Sequence, residues 1–220
     1  MRQPHPTSSR RRLPDLLATQ VACALACVGA IALGVSTSAS ADRSAQTRVT
    51  VIGDSIMASL DYVPAARTYL SRGFDLRSDT VVCRRLVASS CAFQGTRPST
   101  ALELVEIQRR ALGPVVVVNV GYNDWTAVYD VDRVMRALTA AGVRTVVWVT
   151  LRATTSNYAR SNARIRAAAR RWKSLVVADW NAFSRGQPWF REDGLHLTTT
   201  GAMGLARLLR PLLVAGAAAS

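Results

Sequence analysis

From Arg48 onward the chain alternates short apolar runs with stretches of helical periodicity. Arg48 to Ile52 is β-branched and stops at Gly53, the pattern of a buried strand. Ile56 to Leu70 has helical spacing, interrupted at Pro64, whose ring and missing N–H break or kink a helix. Phe74 to Val82 is a weaker strand. A helix begins at Pro98-Ser99 and runs to about Ala111, with Glu103 and Glu106 early and Arg109 and Arg110 late, an order that suits the helix dipole. Val115 to Val120 is an unbroken apolar strand. Asp130 to Ala141 is an amphipathic helix ended by Gly142. Arg144 to Leu151 predicts a strand, Asn157 to Trp172 a helix, Leu175 to Ala178 a short strand and Thr200 to Val214 a closing helix, with Ala215 to Ser220 expected to fray.

Apolar strands separated by helices imply a parallel sheet covered on both faces. With right-handed crossovers the expected architecture is a three-layer α/β/α sandwich of about five strands. Ligands in such folds sit beyond the carboxyl ends of the strands. Attention therefore falls on Gly53-Asp54-Ser55, on Gly121-Tyr122-Asn123-Asp124 and on the stretch after Ala178.

The first 41 residues follow a different logic. Four arginines lie within residues 1–12, Leu16 to Val35 is mostly small and apolar, and Ala39-Ser40-Ala41 fits a small-x-small cleavage site. That order is the order of a secretory signal peptide, and Ser9-Arg10-Arg11-Arg12-Leu13 loosely matches a twin-arginine signal. The division expected is residues 1–41 as signal peptide and residues 42–220 as one catalytic domain, secreted or held at the cell surface. A retained N-terminal anchor is the alternative, since the apolar stretch is long enough to span a bilayer.

Composition sharpens this. Apolar residues make up 49% and charged residues 19%, which excludes a disordered chain. Lys and Arg number 28 against 14 Asp and Glu, a formal charge of +14. Such a balance ordinarily raises nucleic acid as a partner. Export removes that inference, and the +11 left after cleavage points instead to electrostatic contact with wall polyanions. The arginines of Asn157 to Trp172 (Arg160, Arg164, Arg166, Arg170 and Arg171) read either as an anion-binding face or as a solvated helix surface. Beyond the leader only Cys83 and Cys91 remain, an even number in an exported chain, so a disulfide is expected between them. Two cysteines and one histidine do not make a zinc site, so no metal is expected.

Three groups carry the candidate chemistry. Ser55 follows the first strand, where a hydroxyl and an N–H can face a cleft, although serine there is also an ordinary helix cap. Asp193 lies three residues before His196, the last histidine in the chain, and can hold one ring nitrogen while the other takes a proton from a serine. Asn123 follows the most apolar strand and can donate its amide to an oxyanion, although Gly-Tyr-Asn-Asp is also turn composition.

Taken in order, Gly53-Asp54-Ser55, Gly121-x-Asn123-Asp124 and Asp193-x-x-His196 resemble the motifs of the GDSL/SGNH hydrolase family, over about Val49 to Leu212. The resemblance implies a flavodoxin-like sandwich with Ser55 as nucleophile, His196 as general base and Asp193 orienting it. It also implies an oxyanion hole formed by the Ser55 N–H, Asn123 and a third donor, usually a glycine N–H after the second strand. Cys83 stands at that position here, with Gly95 as the alternative. The stretch from Val177-Ala178-Asp179-Trp180 through Trp189-Phe190-x-x-Asp193-Gly194-x-His196-Leu197 to Gly201 is similar to exported cell-wall O-acetyltransferase domains. Trp125, Trp180 and Trp189 fall on or near the cleft loops, where they could shape a substrate site or pack; Trp148, inside a strand, reads as core. The implied function is cleavage of acyl esters of a small molecule, lipid or cell-wall glycan by a cofactor-free monomer. O-acetyl transfer to wall polysaccharide and non-catalytic glycan binding are the alternatives.

Overall fold

The computed structural model describes residues 46–219. The expected signal peptide, with its cleavage site and twin-arginine reading, lies outside the described residues. Five parallel strands form one sheet in the order β2-β1-β3-β4-β5: β1 is Thr47–Gly53, β2 Phe74–Thr80, β3 Val115–Asn119, β4 Thr145–Val149 and β5 Leu175–Ala178. Reversal of strand order at β1 places a crevice between the carboxyl ends of β1 and β3, where open α/β sheets bind ligands.

The helices are α1 (Ser59–Tyr62), α2 (Pro64–Ser71), α3 (Ala101–Gln108), α4 (Val131–Ala140), α5 (Ser156–Arg171), α6 (Trp180–Phe183) and α7 (Thr199–Ala218). Side chains alternate between two cores. Ile52, Val116, Val118, Val146 and Trp148 face α3, α4 and α5, while Val49, Val51, Val115, Val117, Val147 and Val149 face α1, α2 and α7. All five positions of β3 and all five of β4 are buried, which explains why these strands read as continuous apolar runs rather than alternating ones. The three-layer sandwich expected from the alternation is the fold observed.

The differences are local. Over Ile56 to Leu70 the interruption expected at Pro64 is a full break: a turn is followed by α1 and α2, divided at Val63, with Pro64 as a first-turn residue of the new helix. The α3 helix starts later than Pro98-Ser99, at a capping box in which the Thr100 hydroxyl accepts from Glu103 N–H and the Glu103 carboxylate accepts from Thr100 N–H. The α7 helix continues to Ala218 through alanines expected to fray, because Gly216 is buried against Thr145. By length and mean hydropathy α7 could cross a membrane, but eight of its residues are buried, and it is the core helix of one face.

On α5, Arg166 pairs with Asp179 at 2.8 Å, Arg171 pairs with Asp132, and Arg164 donates to the Tyr129 carbonyl. Much of the arginine run is therefore committed to holding α5 against its neighbours rather than presented as a free basic face.

Candidate active site

Ser55 stands two residues past the end of β1. Gly53 sets its position: a Cβ there would lie 2.3 Å from the Met57 Cβ, so only glycine lets the turn after β1 fold back so closely. The buried Asp54 carboxylate fixes this turn to the loop after β3. One oxygen accepts from the Ile56 N–H at 3.1 Å, and the other accepts from the Gly121 and Tyr122 N–H groups, each at 3.2 Å. One side chain thus ties the Ser55 turn to the Asn123 loop.

Asp193 and His196 occupy the tip of a hairpin closed by an antiparallel bridge between Phe190 and Leu197 and by the Arg191 N–H donating to the His196 carbonyl at 2.7 Å. The Asp193 carboxylate accepts from the Leu195 N–H at 2.8 Å and the His196 N–H at 2.9 Å, so the acid shapes its own loop. Its second oxygen lies 2.6 Å from His196 Nδ1. On the far side of the ring, His196 Nε2 lies 3.1 Å from Ser55 Oγ, across 141 residues of sequence. The Leu195 N–H, with the His196 ring and N–H adding to it, holds the Asp193 carboxyl at about 2, so it is ionised throughout the neutral range. An ionised carboxylate at Nδ1 favours the tautomer that carries its proton there, leaving Nε2 as an acceptor facing the serine. The His196 and Asp193 side chains are 38% and 48% exposed, so the site is open to solvent.

Asn123 lies on the same strand-end edge. Its Nδ2 donates to the Arg84 carbonyl at 3.2 Å, which leaves one amide hydrogen uncommitted, and its own carbonyl accepts from Arg85 Nε at 2.7 Å. Asp124 receives the Leu86 N–H at 3.0 and 3.1 Å on its two oxygens. These bonds clamp residues 84–86 against residues 123–124. Cys83, just before this clamp, has φ +71°, a left-handed conformation rare for a residue with a Cβ, and is joined to Cys91 by the expected disulfide. Among the described residues neither the Cys83 N–H nor the Ser55 N–H has a hydrogen-bond acceptor. Gly95 sits elsewhere, exposed in the tight turn bridged by Phe93 and Thr96, and its positive φ serves that turn.

The tryptophans separate by role. Trp148 and Trp180 are buried; Trp180 stacks on Trp189 at 5.7 Å, supporting the hairpin that carries His196. Trp125 is 68% exposed. Sequence reasoning missed Arg152, which donates its backbone N–H to the Tyr122 hydroxyl at 2.7 Å, hydrogen-bonds the Gly194 carbonyl through its guanidinium and covers the Phe190 ring at 3.6 Å. Its place just past an apolar strand was the available signal. No cluster of three or more potential metal ligands occurs among the described residues.

The fold has solved counterparts. A protein of Agrobacterium tumefaciens C58 described as an arylesterase superposes with a TM-score of 0.56 at 13% identity, over 76% of this chain and 98% of that one. At that identity the likeness is one of fold, a five-stranded parallel sheet with helices on both faces. The periplasmic domain of a lipopolysaccharide acetyltransferase from Salmonella Paratyphi A shares this fold, with a TM-score of 0.51 at 13% identity, over 77% of this chain and 84% of that one. No family profile and no curated protein matches the sequence.

The two buried carboxylates of this site should leave a mark on stability. Burial pushes the Asp54 carboxyl up to about 6 against the pull of three N–H groups. Burial likewise pushes Asp124 up to about 7, opposed by the Leu86 N–H and reinforced by the charge of Asp54. The native state therefore keeps protons that the unfolded chain has released, and stability falls as pH rises between about 4 and 7. Asp124→Asn keeps a carbonyl acceptor for Leu86 N–H and removes one titration. The expected result is a flatter dependence of Tm on pH across that window, measured by calorimetry; an unchanged slope would mean that Asp124 ionises normally.

Proposed function

We propose that this protein is an exported serine hydrolase that cleaves acyl esters through a covalent acyl-enzyme. The observation that carries the reading is the continuous line Ser55 Oγ, His196 Nε2, His196 Nδ1, Asp193 Oδ2, with contacts of 3.1 and 2.6 Å. His196 takes the Ser55 proton as Oγ bonds to the ester carbonyl carbon. The oxyanion formed is received by the uncommitted Asn123 amide hydrogen and the Ser55 and Cys83 N–H groups. The carbonyl then reforms, the bond to the alcohol oxygen breaks, and His196 returns the proton to that oxygen. Water, activated by the same imidazole, releases the acid and regenerates Ser55. Neither a metal nor an organic cofactor enters these steps. The Cys83–Cys91 disulfide supports export, because such bonds persist in oxidising compartments.

Transfer to a sugar hydroxyl is the second reading, favoured by the acetyltransferase domain that shares the fold. Chemically it differs only in the acceptor that enters the second half of the cycle. A p-nitrophenyl ester series of increasing chain length, run beside acetylated peptidoglycan, tests both. Turnover of short esters with free acid as product is expected. Acetylated sugar appearing in place of free acetate would favour transfer, and inertness toward every ester would overturn the proposal.

A further inference from the structure

Beyond the Ser55–His196 line, a polar cavity of about 330 Å³ opens at the carboxyl edge of β4 and β5. Its wall includes Arg152, Thr154, Asn181, Ser184 and Arg185, and no acidic residue lines it. Asp179, two residues before Asn181, pairs with Arg166 at 2.8 Å and also accepts from Thr150. The donors are underused. Asn181 receives the Ala153 N–H on its carbonyl oxygen at 2.8 Å, while its amide hydrogens have no acceptor among the described residues. Ser184 is 1% exposed, and its hydroxyl has no partner. The Arg185 side chain is exposed and pairs with no carboxylate among the described residues. A cavity wall that carries two arginines and an amide with uncommitted hydrogens, and no carboxylate, is a wall of donors without acceptors.

We infer that this cavity is a subsite for an anionic group, phosphate or carboxylate, on the alcohol half of the ester. Arg152 is the link to the chemistry. Its guanidinium lies on Phe190 and bonds the Gly194 carbonyl, inside the hairpin that carries Asp193 and His196. An oxyanion held by Arg152 and Arg185 is thereby seated next to the loop that presents the base. Planar guanidinium groups suit either oxyanion through paired N–H donors, and the Asn181 amide supplies further ones. The subsite selects esters of acidic glycans or phosphate-bearing polymers over neutral esters.

The inference rests on the ester-cleaving reading for its kinetic test and on direct binding for its second. Arg185 is the position to change, because Arg152 also holds the hairpin. With three O-acetyl sugars, one neutral, one a sugar phosphate and one a uronic acid, kcat/KM for each anionic ester is divided by that for the neutral one. Arg185→Glu should lower this ratio by about tenfold or more, as expected for loss of a charge-assisted contact, and Arg185→Ala by less. A ratio within about twofold of wild type in both variants would overturn the subsite. Whether the phosphate or the carboxylate ratio falls further identifies the source of the anion. Inorganic phosphate titrated into the wild type should saturate amide shifts over residues 181–186 and bind about tenfold more weakly to Arg185→Glu. Absence of saturable binding counts against the subsite. If the wild type cleaves none of these esters, the hydrolase reading has failed, and the phosphate titration alone decides the subsite.

Discussion

Replacing Ser55 with Ala is expected to lower kcat on short p-nitrophenyl esters by at least about 10⁴-fold while leaving the fold intact. The only hydrogen bond of the Ser55 hydroxyl among the described residues is the one to His196, at 3.1 Å. The turn that carries Ser55 is held by the Asp54 carboxylate and by close packing of Met57 on Gly53, none of which involves the hydroxyl. Deleting one oxygen from a partly buried position that takes no part in holding the turn should therefore shift Tm by no more than about 2 °C. His196→Ala should lose a comparable factor. The double variant should be little worse than either single one, because serine and base act as a unit and their losses do not add. Rates measured beside thermal melts decide the matter. If Ser55→Ala retains a tenth or more of wild-type turnover, Ser55 is a turn residue and the nucleophile lies elsewhere.

Much of this arrangement was legible before any coordinates, for physical reasons that differ by element. The strands were legible because a parallel strand buried on both faces must be apolar throughout, and Val115 to Val118 and Val146 to Val149 are. Handedness leaves few ways to thread five parallel strands, but the order that puts β1 between β2 and β3 comes from the structure. Ser55, Asn123 and His196 could be flagged because polar residues directly after such strands or in the last loop stand where these sheets bind ligands. That Ser55 and His196 meet across 141 residues is a tertiary fact that spacing cannot carry. The extension of α7 was not legible, because alanines favour a helix only weakly and packing of Gly216 on Thr145 decides it. Arg152 was missed for a related reason. An arginine after a strand reads as solvated in an arginine-rich chain, and only the folded hairpin brings Phe190 and the Gly194 carbonyl to it. Trp180 was ambiguous between rim and core because its burial depends on Trp189, which comes from another segment.

Asn123→Ala is expected to lower kcat by about 10²–10³-fold with a much smaller change in KM, the signature of a donor that matters chiefly when negative charge develops. The side chain has a second task, since it donates to the Arg84 carbonyl at 3.2 Å, close to Cys83. Loss of that bond could in principle let the Cys83 loop drift and mimic the loss of an oxyanion donor. The surrounding bonds argue against drift. The Asn123 carbonyl still receives Arg85 Nε at 2.7 Å, Leu86 N–H still reaches Asp124 at 3.0 Å, and the disulfide still fixes Cys83 to Cys91. Removal of one hydrogen bond of this kind costs about 1 kcal/mol of stability, too little to open a clamp that keeps its Arg85 and Leu86 bonds beside the disulfide. A phosphonate ester that mimics the tetrahedral intermediate provides the decisive measurement. If Asn123 faces the oxyanion, the rate at which the phosphonate inactivates the variant should fall in step with kcat/KM. A rate of inactivation and a kcat both within about threefold of wild type would reduce Asn123 to the turn residue that its sequence context equally allowed.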